Sequence, residues 1–138
     1  MRPIYESSAD KSAEALVVKK LTERQQNAQF IKLPELSVVD YMVVDNGKAK
    51  ALIEIKNRRN PADKYPTYII SERKLQDGLA LSKLLNVPFV LVVSWLQEVR
   101  WVKIKQLYPA AIGGRYDRGD AQDIERVCHI PISDFKRL

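Results

Sequence analysis

From residue 48 to residue 56 the chain alternates strictly. Lys48, Lys50, Leu52, Glu54 and Lys56 fall on one face, and Ala49, Ala51, Ile53 and Ile55 on the other. That two-residue period predicts a β-strand over Lys48–Asn57. Upstream, the apolar run Val38–Val44 predicts a second strand, joined to the first through a turn at Asp45-Asn46-Gly47. A shorter strand, Phe30-Ile31-Lys32-Leu33, is stopped by Pro34. Ahead of these, Ala9, Ala13, Leu16, Val17 and Leu21 recur at helical spacing and predict a helix capped by Ser7 or Ser8 that ends near Gln25. Downstream, Asn57–Thr67 is polar, holds two prolines and reads as a loop. Ser71 then caps a helix with Glu72 at its positive end, Leu75, Leu79, Leu81, Leu84 and Leu85 on its apolar surface and Asn86 closing it. Val87–Trp95 is apolar on both faces, as a central strand is, and Val99–Lys105 is its hairpin partner. Ala111 to about Ile124 is rich in Gly, Arg and Asp and reads as irregular, with Gly113-Gly114 a flexible turn. Val127–Ile132 makes a last strand.

Helix, three strands, helix, strand is therefore the order of a core over about residues 8–95, followed by a β extension over 96–138. The fold class is α/β with a mixed sheet: a hairpin supplies an antiparallel pair, and the helical crossover implies a right-handed parallel one.

With 138 residues, 46% of them hydrophobic, the chain suits one domain with a real core and shows no repeat. Its single cysteine, Cys128, excludes an internal disulfide framework, fits a reducing cytoplasm and reads as a small buried hydrophobe beside Ile130. The start lacks the apolar stretch of a signal peptide, and Leu84–Leu96 is too short to span a bilayer. The small size suits a prokaryotic or phage protein in a host cytoplasm. A formal charge of +6 and a pI near 9.5 are compatible with a polyanionic partner.

The charge pattern also places Asp40 near Glu54-Ile55-Lys56, on adjacent strands. Two carboxylates and an ammonium on one patch can hold Mg²⁺ and place a water beside it. Acid-x-lysine triplets are common, however: about one or two are expected by composition. Three occur, with Glu72-Arg73-Lys74 and Asp134-Phe135-Lys136 the others. The alternation around Glu54 equally describes a solvated strand face. The turn decides whether the acids meet. A two-residue Asn46-Gly47 loop pairs Asp40 with Ile53 and sends Glu54 to the opposite face. A three-residue loop, with Gly47 left-handed, pairs Asp40 with Leu52 and unites Asp40, Glu54 and Lys56.

In this arrangement the chain resembles the PD-(D/E)xK nuclease superfamily, with its restriction-endonuclease-like α-β-β-β-α-β core, and especially its Holliday-junction-resolvase members. Asp40 matches the acid of the second core strand and Glu54-Ile55-Lys56 the triplet of the third, while Val39 stands where the family pattern has proline. The resemblance implies a metal-dependent deoxyribonuclease. Asp40, Glu54 and the carbonyl of Ile55 would ligate Mg²⁺, with Mn²⁺ as a substitute, and Lys56 would serve the attacking water. Glu14, ahead of Glu6 and Glu23, matches a glutamate that some resolvase-like families carry on the first helix. Lys74 matches a position where related nucleases present Lys or Gln to the site.

Arg58, Arg59, Lys74, Arg115 and Arg118 are candidate DNA contacts, and Trp101, Lys103 and Lys105 share one strand face. No zinc spacing, phosphate-binding glycine loop or serine nucleophile motif is present, and His129, the only histidine, lies in a terminal strand. The expected function is cleavage of branched DNA or Holliday junctions by a homodimer. The alternatives are another repair or recombination nuclease, or a nucleic-acid-binding module without catalysis. Cleavage that requires Mg²⁺ separates enzyme from binder.

Overall fold

The computed structural model describes residues 8–25, 27–114 and 124–138. Among the described residues, nine strands form two sheets. The larger has six strands in the order β1 (Gln29–Lys32), β2 (Tyr41–Asp45), β3 (Lys48–Asn57), β5 (Phe89–Ser94), β6 (Val99–Ile104) and β9 (Lys136–Arg137). The smaller has three, in the order β4 (Thr67–Ser71), β8 (Ile124–Pro131), β7 (Ala110–Gly114). Within the large sheet only β3 and β5 run parallel, as the crossover through helix α2 (Glu72–Leu85) requires. The mixed sheet therefore forms as the sequence predicts.

Helix α1 (Ser8–Arg24) covers one face of the large sheet, where Val17 packs with Tyr41, Val43, Ile53, Ile55 and Val92. The other face packs Leu52, Phe89, Leu91 and Val93 against Leu75 of α2 and against Tyr68, Ile70, Cys128 and Ile130 of the small sheet. β5 is thus covered on both faces, which explains why its sequence lacks alternation. In α1 the inward line is Glu14, Val17 and Leu21, and Leu16 is exposed, contrary to the predicted stripe. Leu84 and Leu85 likewise face outward at the end of α2.

Three further departures come from the second sheet and its return. Thr67 begins a strand rather than ending a loop, so β4 stands between β3 and α2 and pairs with β8. Gly113 and Gly114 close strand β7 instead of forming a turn, paired with Glu125 and Ile124. Finally, β9 returns to the large sheet beside β6. Each is short or glycine-containing, and each is held by a partner distant in sequence. Both caps of α2 form as expected: Ser71 accepts from the Lys74 N–H at 3.3 Å, and Asn86 takes a left-handed φ of 54°.

Candidate active site

Strand register is what assembles the acids. Asn46 and Gly47 have φ of 52° and 73°, so the hairpin has the two-residue turn, with Asp45 opposite Lys48. Carried straight through, that register would separate Asp40 from Glu54. A β-bulge intervenes: Val44 pairs with Ala49 but Val43 with Ala51, leaving Lys50 as the extra residue. Tyr41 then pairs with Ile53, which aligns Asp40 with Glu54. Of the two turns the sequence allows, the two-residue one forms, and the bulge restores the face that the three-residue turn would have given.

Asp40 lies one residue ahead of β2 and prolongs the ladder. Its N–H donates to the Ile53 carbonyl at 3.1 Å, and its Oδ2 accepts from the Ile55 N–H at 2.7 Å. The carboxylate is thereby fixed on the backbone of the triplet itself.

Glu54 is 1% exposed, so the strand is not solvated there, although Lys48 and Lys50 are exposed. α2 and the small sheet cover it. Lys56 Nζ and Lys74 Nζ approach the same oxygen, Glu54 Oε2, at 3.4 and 3.3 Å. Glu54 Oε1 is buried and has no hydrogen-bond partner among the described residues. An ionised oxygen left so is costly unless something else binds it. Burial raises the Glu54 carboxyl above its ordinary pKa; Lys56 and Lys74 oppose this, and the Asp40 charge adds to it. Burial would lower the Lys56 ammonium, but Glu54, Tyr68 and Asp40 outweigh it and hold its pKa above the usual value. Lys56 is therefore cationic at neutral pH.

The lysines divide by exposure. The Lys74 side chain is 8% exposed, so it faces Glu54 rather than open solvent, whereas that of Lys56 is 34% exposed and reaches the surface. Glu14 is placed elsewhere. It is buried on the α1 face, where Lys32 Nζ meets both its oxygens at 2.9 Å and the Tyr41 hydroxyl lies 3.4 Å away. Burial, Glu14 and Asp40 all raise the Tyr41 hydroxyl, opposed by Lys32, so the Asp40 charge reaches this cluster. Neither Lys32 nor Tyr41 stands out in sequence, since each looks like an ordinary strand residue.

Arg58 and Arg59 follow β3. The Arg58 guanidinium lies over the Tyr68 ring, 4.6 Å from its centroid, and Arg59 is exposed. Arg115 and Arg118 lie outside the described residues. Thr67 Oγ1 and His129 Nδ1 are 3.0 Å apart, a link between the two strands rather than part of the acidic site. No group of three or more His, Cys, Asp or Glu suited to a metal occurs among the described residues. Two carboxylates and a carbonyl nevertheless fit Mg²⁺, which retains several waters and commonly takes one or two protein carboxylates plus substrate phosphates.

The family model described as "Phage putative PDDEXK endonuclease" matches residues 1–138. Among solved structures, a Holliday junction resolvase from Archaeoglobus fulgidus, an archaeal hyperthermophile, superposes with a TM-score of 0.58 at 12% identity. The match covers 74% of this chain and 78% of that one. At that identity the likeness is one of fold. No curated protein matches the sequence.

Proposed function

We infer the reaction of this site from one premise: the chain belongs to the phage PDDEXK endonuclease family, and it is a nuclease. Relatives of this kind act with divalent metals. The reading we propose is Mg²⁺-dependent hydrolysis of DNA phosphodiesters, with Asp40, Glu54 and the Ile55 carbonyl as ligands. One observation carries it. Glu54 is buried beside Asp40 with both ammonium groups on Oε2, leaving Oε1 unpartnered for a cation.

Bound there, Mg²⁺ would acidify a water and offset charge on the scissile phosphate. The chain's own groups do the rest. Asp40 is oriented by the Ile55 N–H, and Lys74 steadies Glu54 from its buried side. Lys56, cationic and partly exposed, would hold the attacking water and stabilise negative charge as it develops. Glu14 acts at one remove: fixed by Lys32 and Tyr41, it shapes the field around Asp40 rather than meeting the cation.

The substrate we favour is branched DNA, with four-way junctions first, cut by a C2 homodimer in the cytoplasm of a phage host. Two symmetric cuts call for two related sites. Among the described residues no helix is long and apolar enough to cross a membrane.

Asp40→Ala, Glu54→Ala and Lys56→Ala are each expected to lower single-turnover cleavage by about 10²-fold or more, without additivity. Calorimetry should show Mg²⁺ binding lost in the two acid variants and kept in Lys56→Ala. Full cleavage by Glu54→Ala would overturn the site. A panel of duplex, flap, single-stranded and four-way DNA, with sedimentation of the protein, tests substrate and dimer.

A further inference from the structure

Beyond Asn57, the chain leaves the sheet and lines a cavity of about 270 Å³. It sits past the C-terminal ends of the parallel strands β3 and β5. The Arg58 N–H donates to the Ser94 carbonyl at 2.8 Å and the Leu96 N–H to the Asn60 carbonyl at 3.3 Å, so the two departing segments are stitched together. Crevices outside the carboxyl ends of parallel strands are where ligands enter open α/β sheets.

The lining is aromatic and apolar with a few polar groups. Buried Tyr68 and Trp95 form its base, with their rings edge-on and centroids 6.1 Å apart. Tyr65 and Ile69 line it and are exposed, at 56% and 48%. Arg58 contributes its guanidinium plane and Asn60 an amide. The Tyr68 side chain is 4% exposed, yet its hydroxyl has no hydrogen-bond partner among the described residues. The Arg58 guanidinium lies over the ring, and burial raises the hydroxyl's pKa against the pull of Arg58 and Lys56. A buried hydroxyl of this kind is a group that a ligand can bond.

We propose that this cavity takes one unpaired nucleobase of the DNA substrate, next to the phosphate that is cut. The inference rests on the reading of Mg²⁺-dependent DNA cleavage above and deepens it: the branched DNA would offer an unpaired nucleotide beside the cut phosphate, as pairs that open at a branch point do. Size favours this occupant, because the cavity is near the lower limit of small-molecule sites, roughly 300 Å³, and excludes a paired duplex. Chemistry favours it too. A base presents two π-faces to aromatic and guanidinium planes, and its edge carries donors and acceptors for Tyr68 and Asn60. Position completes the case: Lys56 and Arg58 are two residues apart, roughly 6–7 Å along a strand. A nucleotide beside the cut phosphate lies within that reach.

The test uses two duplexes of one sequence, fully paired or with a single unpaired 2-aminopurine at the cut site, bound in Ca²⁺ and cleaved in Mg²⁺. The unpaired duplex should bind at least about tenfold tighter, with 2-aminopurine fluorescence quenched by stacking. Tyr65→Ala combined with Ile69→Ala, both exposed and so tolerated by the fold, should cut that preference to about twofold or less. Tyr68→Phe, which keeps the packed ring, should lower it several-fold. Equal binding of both duplexes, or a preference unmoved in all variants, would overturn the cavity while Mg²⁺-dependent cleavage still stood. A preference intact without any cleavage would uphold the cavity and remove the reading of Mg²⁺-dependent hydrolysis of this DNA.

Discussion

At the residue scale, the site is stabilised for function rather than for folding. Glu54 is buried, its pKa raised by burial, and the nearby Asp40 charge raises it further against the pull of Lys56 and Lys74. For an acid whose folded pKa is raised, the unfolded chain gives up its proton first. Stability of the metal-free protein therefore falls as pH climbs from the ordinary carboxylate range through the raised value. Asp40→Asn removes one cause of that rise and keeps an oxygen for the Ile55 N–H. In EDTA at neutral pH, urea denaturation should show Asp40→Asn as stable as the wild type or more stable, by about 1 kcal/mol. Added Mg²⁺ should reverse the order, since a ligand that binds only the folded state stabilises only the protein that holds it. A metal-free Asp40→Asn that unfolds more easily would mean that its hydrogen bond outweighs the repulsion.

At the scale of elements, the crossover helix is seated by one close approach. A Cβ at Gly78 of α2 would fall 2.3 Å from the Phe89 ring of β5, far inside van der Waals contact. Alanine gains helix propensity of about 1 kcal/mol, but the fully buried Phe89 cannot retreat. Gly78→Ala should therefore destabilise by about 1–3 kcal/mol, and adding Phe89→Leu should recover part of it, a coupling that a double-mutant cycle measures. Additive effects would show that α2 shifts freely. These elements also mark what the sequence discloses. The β3 alternation, the α2 caps and the two-sided apolar run of β5 are local signals, and all three elements formed where they pointed. β4 and β9 are invisible locally because each is short and is held by a partner far along the chain. The site falls between these cases. Its acids are legible from Glu54-Ile55-Lys56, but their meeting depends on the Lys50 bulge, and nothing in an alternating Lys-Ala run announces one extra residue.

At the scale of the whole molecule, a charge of +6 sets how the protein meets a polyanion, and the fold decides where. Lys56 lies near the end of β3, and Arg58 and Arg59 follow directly past that end, Arg58 lining the cavity. The two arginines have different work. Arg59 is exposed, whereas Arg58 is half-buried over Tyr68. If Arg59 meets a phosphate, its replacement by alanine releases about one counterion fewer on binding. The slope of log affinity against log salt should then fall by about 1, with binding weakened alike on every sequence. Arg58→Ala should weaken binding even at high salt, because a stacking plane beside the cavity is lost together with a charge. Binding in Ca²⁺ at 50–200 mM salt separates the two effects. A slope unchanged in Arg59→Ala would take that arginine off the path of the DNA backbone. A purely salt-dependent loss in Arg58→Ala would reduce it to a point charge and leave the base of the cavity to Tyr68 and Trp95.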